Sequence, residues 1–371
     1  MNRRLKNLCW CFLRFAFSLF KLDNRKVFFR SYGGLNYSCN PKAISEKLHE
    51  IAPDMKIVWS FKNPSKVENV PEYVTKVKRN SFQEIKSLFT SKFWVMNVGF
   101  VLPKKRKGQI FIDTWHGDRA FKKVEISADG KENIADSYKV ADVVLSGSDY
   151  GDQVIRNAMR FSGKILRVGS PRNDIFFSKD LDLKTESVKR GLGIAKNVRV
   201  LMFAPTFRGA GKGVDILNFS SLLDKLEARD GEKWVCLVRQ HYKVPFQKKY
   251  STDVRIMNVS AYPDMQELLL VSNIVISDYS SLVGDFALLE RPIVLYVPDL
   301  EEYVDSRGLY FGLKKSPFVF AMEESELFEK ILKFDPESAR KNCRRILDFY
   351  GDVRENGTAS ERVCKWILEN S

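Results

Sequence analysis

Two of the three histidines in this 371-residue chain stand where chemistry is easiest to place. His116, in Thr114-Trp115-His116-Gly117, and His241, in Val238-Arg239-Gln240-His241, each follow a short β-branched or aromatic run that reads as a buried strand. The carboxyl end of such a strand is where open α/β sheets present ligand-binding side chains. An imidazole there can take a proton from an attacking hydroxyl near neutral pH, and Gly117 lets a ligand or loop approach the ring of His116 closely. His241, two residues after Arg239, is placed to donate hydrogen bonds to developing negative charge. The third histidine, His49 in Leu48-His49-Glu50-Ile51, reads as surface or structural.

A third strand end, Ile276-Ser277-Asp278-Tyr279-Ser280-Ser281, passes directly into a helical pattern. Ser280 or Ser281 is expected to cap that helix, leaving its backbone N–H groups and positive dipole end for a phosphate. Arg208, in Pro205-Thr206-Phe207-Arg208, and Arg239 are phosphate candidates because a guanidinium fork matches phosphate oxygens. Asp278 belongs to the same phosphate-binding end, as a carboxylate that caps or orients the loop. No Asp-x-Asp or clustered carboxylates follow a strand, so no protein-bound catalytic metal is expected, with a magnesium ion carried by the substrate left open; no cofactor is expected. The six cysteines lack paired metal-ligand spacings beyond a lone Cys9-x-Cys11, which argues for a reducing compartment.

The elements that must carry these residues alternate short strands and helices from Lys26 onward. Val27-Phe28-Phe29 reads as a strand, Gly33-Gly34 as a turn, and Asn40-Pro41 as an N-cap followed by proline in a helix reaching about Ile51. Further strands are predicted at 56–61, 93–98, 109–115, 142–146 and 165–168, then at 198–203, 234–239, 254–257, 274–277 and 293–297. Helices are predicted near 180–192, 219–228, 265–271, 282–290 and 324–333. The pattern predicts an α/β protein of two Rossmann-like domains facing a central cleft, as in GT-B glycosyltransferases, preceded by an amphipathic helix. The ranges are 1–25 for that helix, 26–180 and 181–335 for the two domains, and 336–371 for C-terminal helices near the domain junction.

The balance of 61 Lys+Arg against 46 Asp+Glu, a net charge of +15, points to polyanionic surroundings. Dispersal of the basic residues, without aromatic interleaving along one element, argues against nucleic acid. At the N-terminus, Arg3, Asn7, Arg14, Ser18, Lys21 and Arg25 fall on one narrow helical stripe, and apolar residues cover the rest. The apolar stretch falls short of the roughly 20 residues a spanning helix needs, and no small-x-small cleavage site follows Phe20. It reads as an in-plane anchor on an anionic membrane surface, with Arg3, Arg4, Trp10, Phe12, Phe17 and Lys21 as contacts. Packing of this helix against its own domain or a partner is the bland alternative.

Along most of its length after residue 26 the chain resembles the CDP-glycerol glycerophosphotransferase family of teichoic-acid and capsule synthesis. The matching residues are Gly33 with Asn40-Pro41-Lys42-Ala43-Ile44, Thr114-Trp115-His116-Gly117 followed by Lys122-Lys123, Gly169-Ser170-Pro171-Arg172-Asn173-Asp174 and Ala204-Pro205-Thr206-Phe207-Arg208. Ser277-Asp278-Tyr279-Ser280-Ser281, Arg291-Pro292-Ile293 and Gly357-Thr358-Ala359-Ser360-Glu361-Arg362 complete the series. The chain departs from the commoner pattern at Asp118-Arg119 and at Tyr242. The resemblance implies transfer of glycerol 3-phosphate from CDP-glycerol to a hydroxyl of a lipid-linked saccharide acceptor, with release of CMP, at the cytoplasmic face of a bacterial membrane. His116 is then the base, Trp115, Gly117, Asp118 and Arg119 lie on the acceptor side, and His241 stabilises departing CMP. CDP-ribitol as donor, or a nucleotide sugar in a GT-B glycosyltransferase, is the competing expectation. A non-catalytic membrane scaffold would leave both strand-end histidines unexplained.

Overall fold

The computed structural model describes residues 15–17, 19–98, 105–124, 140–208, 217–240, 246, 250 and 252–371. Arg3, Arg4, Trp10 and Phe12 of the expected anchor lie outside the described residues. The fold divides into two units, the first running to Asp118, resuming at Val124–Asp174 and completed by Arg354–Ser371. The second comprises Arg119–Lys123 and Ile175–Val353. The C-terminal segment 336–371 is thus shared between them.

In the first unit, strands β1 (Asp23–Arg30), β2 (Lys56–Phe61), β3 (Thr75–Lys78), β4 (Ser91–Met96), β5 (Ile110–Asp113), β6 (Val143–Ser146) and β7 (Lys164–Arg167) form a parallel sheet in the order β3-β2-β1-β4-β5-β6-β7. The run Phe93-Trp94-Val95-Met96 shows why β4 lies inside: successive residues point to opposite faces, and all four are buried. Phe93 and Val95 join Val27, Phe29, Trp59 and Ile112 on one face, while Trp94 and Met96 join Phe28, Val58 and Phe111 on the other. Helices α1 (Cys39–Ile51) and α11 (Ala359–Glu369) cover the first of these faces through Ile44, Leu48, Val363 and Ile367. Helix α2 (Phe82–Thr90) adds Leu88 to the second, and α3 (Asp149–Asn157) follows β6.

The second unit repeats the plan. Strands β8 (Arg199–Phe203), β9 (Trp234–Val238), β10 (Ile256–Asn258), β11 (Ile274–Ser277), β12 (Ile293–Tyr296) and β13 (Phe320–Ala321) are parallel in the order β10-β9-β8-β11-β12-β13. Its helices are α4 (Leu181–Gly191), α5 (Phe219–Asp230), α6 (Met265–Val271), α7 (Leu282–Phe286), α8 (Leu300–Arg307), α9 (Glu324–Leu332) and α10 (Pro336–Phe349). Leu222, Leu223 and Leu226 of α5 and Leu327 and Ile331 of α9 bury one sheet face with Leu201, Cys236, Ile274 and Val294. Burying a side chain of this size contributes about 1.5–3 kcal/mol, so each sheet is held by its own core. Both sheets reverse strand order once, between β1 and β4 and between β8 and β11. A doubly wound sheet binds ligands at the carboxyl ends beside such a reversal.

Three expectations are corrected here. Asn40 does not cap α1: Ser38 occupies the N-cap, and Asn40 lies within the helix with its side chain directed elsewhere. Strand β1 begins at Asp23, inside the range expected for the N-terminal helix. Phe17, expected among the lipid contacts, is buried, its ring 5.7 Å from Phe82 and 5.8 Å from Phe89. Spacing alone does not tell a lipid from an apolar helix as the partner of such a ring.

Candidate active site

Register determines what gathers at the first reversal. Arg30 pairs with Met96, and Met96 with Asp113, so β1, β4 and β5 end level and Ser31-Tyr32, Asn97 and Thr114-Trp115-His116 emerge together. The loop after β5 is pinned at several points. Asp113 Oδ1 accepts from the Trp115 backbone N–H at 2.9 Å, and Trp115 takes a left-handed φ of 45°. A left-handed bulky residue is costly and persists only where its surroundings enforce it. Here Asn40 does so: its Nδ2 donates to the Thr114 and Trp115 carbonyl oxygens at 2.9 and 3.0 Å, while its Oδ1 accepts from the Arg172 N–H at 3.0 Å. At Gly117 a Cβ would sit 3.2 Å from the Trp115 indole, so the glycine lets the loop fold over that ring.

His116 stands at the apex of this loop, exposed. Its Nδ1 lies 2.8 Å from the Asn97 carbonyl oxygen, and its ring meets Tyr32 edge-on at 5.6 Å. A carbonyl oxygen only accepts, so Nδ1 carries the proton and Nε2 is the basic nitrogen. Asn97 is itself held, its Oδ1 accepting from the Tyr32 N–H at 2.8 Å. Beside His116 a small pocket is lined by Asn40, Thr114, Asp118, Gly147, Ser170 and Arg172.

The other first-unit motifs build this scaffold. Asp118 accepts from the Gly147 N–H at 2.9 Å and the Ser148 hydroxyl at 2.8 Å, tying the His116 loop to the start of α3. Asp174 accepts from the Ala359 and Ser360 N–H groups at 3.0 and 2.7 Å, which caps α11 and joins two sequence motifs. Burial raises the Asp174 pKa against the pull of those amides. His49 is half-buried and stacked on Tyr73.

Arg119 departs from expectation. It belongs to the second unit and is fully buried, with its Nη1 2.8 Å from Asp285 Oδ1. Gly284 leaves room for it, because a Cβ there would lie 2.5 Å from Arg119 Cδ. The family resemblance implied the acceptor side for it, whereas here the guanidinium is a buried charge paired with a carboxylate.

In the second unit Phe203 pairs with both Val238 and Ile276, so the segments after β8, β9 and β11 also emerge level. Asp278 is fully buried and receives the Thr206 N–H at 2.9 Å, the Thr206 hydroxyl at 2.6 Å and Arg208 Nη1 at 2.8 Å. Arg208 also donates through Nε to Asp299 at 2.6 Å and lies 4.9 Å from the ring centres of both Tyr279 and Tyr303. Burial works against the Arg208 charge, yet the two carboxylates hold its pKa above the ordinary guanidinium value. Burial lifts the Tyr303 phenol to about 12, aided by Asp278. The fork expected to meet phosphate is therefore engaged by carboxylates, whose geometry suits it equally well.

Helix α7 has no side-chain cap from Ser281, and the Ser280 hydroxyl lies 3.5 Å from the Leu282 N–H. Ser281 thus holds the N-cap position without a side-chain bond while Ser280 meets the first helical N–H, and both serines are half-buried. Arg239 Nη1 donates to the Tyr262 carbonyl oxygen at 2.6 Å. His241 lies outside the described residues. Among the described residues no three His, Cys, Asp or Glu side chains gather as metal ligands.

One cation was missed. Lys122 forms an isolated antiparallel bridge with Leu309, which sets it beside the end of α8, and the Lys123 N–H donates to the Gly308 carbonyl oxygen at 3.1 Å. It is half-buried, and burial lowers its pKa, with Arg307 and Arg208 adding to the effect and Asp278 opposing it. The available signal was Lys122-Lys123 trailing the His116 motif.

Two doubly wound units, each with polar side chains at its strand reversal, define a GT-B-like α/β protein. At 12% identity a UDP-GlcNAc 2-epimerase from Neisseria meningitidis shares that fold alone, with a TM-score of 0.54 over 93% of this chain and 100% of the other. The family model described as CDP-Glycerol:Poly(glycerophosphate) glycerophosphotransferase matches residues 11–369, and the chain belongs to that family. It is 30% identical to a teichoic acid poly(glycerol phosphate) polymerase of Bacillus spizizenii, over 93% of this chain and 92% of that one. It is 31% identical to a teichoic acid glycerol-phosphate transferase of Staphylococcus aureus, over 95% of each. It spans about half of the polymerases of the same name from Staphylococcus epidermidis and Bacillus subtilis, at 51% and 49% of their lengths. The wall teichoic acid polymerase TagF superposes with a TM-score of 0.83 at 28% identity, over 99% of this chain and 96% of that one.

Proposed function

We propose that this protein transfers glycerol 3-phosphate from CDP-glycerol to a hydroxyl of a lipid-linked saccharide, releasing CMP, at the cytoplasmic face of the bacterial membrane. The observation that carries the reading is the Nδ1 contact of His116 with the Asn97 carbonyl oxygen, which leaves Nε2 as the base at a strand reversal. The acceptor oxygen forms a bond to the phosphorus that bears glycerol, and the bond from that phosphorus to the oxygen bridging it to CMP breaks. The hydroxyl proton passes to His116 Nε2, and the electron pair of the broken bond leaves on CMP. Such phosphoryl transfer is governed by positioning and charge neutralisation.

On the acceptor side, Asn40, Asp113 and Gly117 hold the His116 loop, and Asp118 anchors it. For the donor's diphosphate, Lys122, Arg239, Ser280 and Ser281 are the proposed ligands, with Arg208 and Asp278 shaping the loop between them. His241 is proposed to donate to departing CMP. The glycerol-phosphate names of the two relatives favour glycerol over ribitol. No described helix is long and apolar enough to cross a membrane.

Incubating the purified chain with CDP-glycerol and a lipid-linked disaccharide should release CMP and add glycerol phosphate to the lipid, read by mass spectrometry. Absence of CMP release, or preference for CDP-ribitol or a sugar nucleotide, would overturn the assignment.

A further inference from the structure

Two stretches of the first unit lie 185 residues apart in sequence and meet at the pocket beside His116. One is the loop 169–174 after β7; the other is the return segment that begins at Arg354 and leads into α11. Asp174 already fastens that segment by capping α11, and the Arg354 N–H donates to the Gly147 carbonyl oxygen at 3.0 Å. The half-buried Glu355 is therefore not needed to tie the helix down, and its contacts go elsewhere. Both its carboxylate oxygens accept from the Ser170 N–H, at 3.1 and 3.0 Å, and Oε1 also accepts from Asn173 Nδ2 at 3.2 Å.

The wall that Glu355 braces is a wall of the pocket. Gly147, Gly169 and Ser170 line it together with His116, and the carboxylate reaches all three. A Cβ on Gly169 would lie 2.9 Å from Glu355 Oε2, and one on Gly147 would lie 3.1 Å from Oε1. Gly169 takes a φ of 97°, so glycine both permits the turn and admits the carboxylate. The same loop is joined to His116 by a second route: the Arg172 N–H donates to Asn40, which holds the Thr114 and Trp115 carbonyl oxygens. An ionised acceptor binds an N–H roughly twice as strongly as a neutral one, so a glutamate stiffens this wall more than a glutamine would.

We propose that Glu355 is a positioning residue for the transfer: through Ser170 and Asn173 it sets the pocket wall that aligns the hydroxyl-bearing end of the acceptor with His116. The inference rests on the reading that the acceptor binds beside His116. It gives the C-terminal segment a part in the reaction, separate from its part in covering the sheet.

The first test is steady-state kinetics of the full chain with CDP-glycerol and a short-chain lipid-linked disaccharide. Glu355→Ala should raise the acceptor KM about tenfold and lower kcat by a similar factor, because a wall displaced by about an ångström misaligns the reacting groups. Glu355→Gln keeps the length and one accepting oxygen, and should raise the acceptor KM about threefold. The dissociation constant of CDP should be the same in all three proteins. A second readout needs no turnover. The chain has only three histidines, so the ring nitrogens of His116 can be followed by NMR after histidine labelling, with His116→Ala supplying the assignment. Both variants should shift the His116 signals and leave those of His49 in place. A lowered melting temperature with acceptor kcat/KM and His116 signals unchanged would make Glu355 purely structural and overturn the proposal. Weakened CDP binding to the same degree as the acceptor would overturn it too, by showing a general loosening. Should Glu355→Ala fail to fold, Glu355→Gln decides, and an acceptor KM and His116 signals equal to those of the unmodified chain would overturn the proposal. Shifted His116 signals in a chain that releases no CMP from CDP-glycerol would overturn the chemical reading and leave the positioning standing.

Discussion

His116 Nδ1 lies 2.8 Å from the backbone carbonyl oxygen of Asn97, a contact that assigns the proton on the ring. A side-chain partner at that place would titrate or rotate; a main-chain carbonyl does neither. The imidazole therefore offers Nε2 as its basic nitrogen, the atom proposed above to take the hydroxyl proton. His116→Ala is expected to lower kcat by roughly 10²–10⁴-fold while the dissociation constant of CDP-glycerol changes little, and to remove the acid limb of the pH–rate profile. Turnover within a few-fold of the unmodified chain would show that another group takes the proton.

Asn40 ties three separated segments together, bonding Thr114, Trp115 and the Arg172 N–H. Asn40→Asp keeps an acceptor for Arg172 but turns a donor into a carboxylate facing two carbonyl oxygens. Losing hydrogen bonds at a buried site costs about 1–3 kcal/mol. Because the strain sits at Trp115, the loop should move His116, and kcat should fall by roughly tenfold or more with the donor's affinity retained. A thermal shift without any change in kcat would make Asn40 a purely structural residue.

Lys122 gives a pH prediction with a definite sign. Burial, with Arg307 and Arg208 nearby, lowers its pKa below the ordinary lysine value. Its positive charge is then complete below that lowered pKa and is lost as pH rises through it. If Lys122 binds diphosphate, affinity for CDP should decline on the alkaline side earlier than an exposed lysine would give, and bound CDP should pull the pKa upward. Calorimetry across an alkaline series should show the decline abolished in Lys122→Met, which binds weakly at every pH, and moved upward in Lys122→Arg. A profile in Lys122→Met that matches the unmodified chain would shift the phosphate contact to Arg239.

The strand-end logic of the chain was legible because buried parallel strands write themselves as β-branched and aromatic runs. Ile274–Ser277 and Met265–Val271 fall where the pattern predicts. Strand β3 was not legible: in Thr-Lys-Val-Lys only Val77 is buried, as befits an edge strand, so no run announces it. Strand β13 is two residues long. The role of Asn40 was hidden for a different reason. Asn-Pro is a helix-start signal in its own right, and the carbonyls it meets lie far along the chain. Arg119 and Phe17 misled because sequence shows that a charge or a ring needs a partner without showing which one.

The pair Arg119–Asp285 makes a prediction about stability confined to the second unit. Both side chains are buried, and Gln266 Nε2 donates to the second Asp285 oxygen at 3.2 Å. Asp285→Ala leaves the Arg119 guanidinium without that carboxylate in a site closed to water. Breaking one side of a buried pair costs about 3–5 kcal/mol, which for a unit of this size is roughly 10 °C in Tm. Gly284→Ala should lower the same transition, because the new Cβ would meet Arg119 Cδ at 2.5 Å. Arg119→Met combined with Asp285→Leu removes both charges and should recover most of the loss. Differential scanning calorimetry should show the second unit's transition shifted and the first unit's retained. A melt of Asp285→Ala that matches the unmodified chain would mean that the pair does not hold this loop in place.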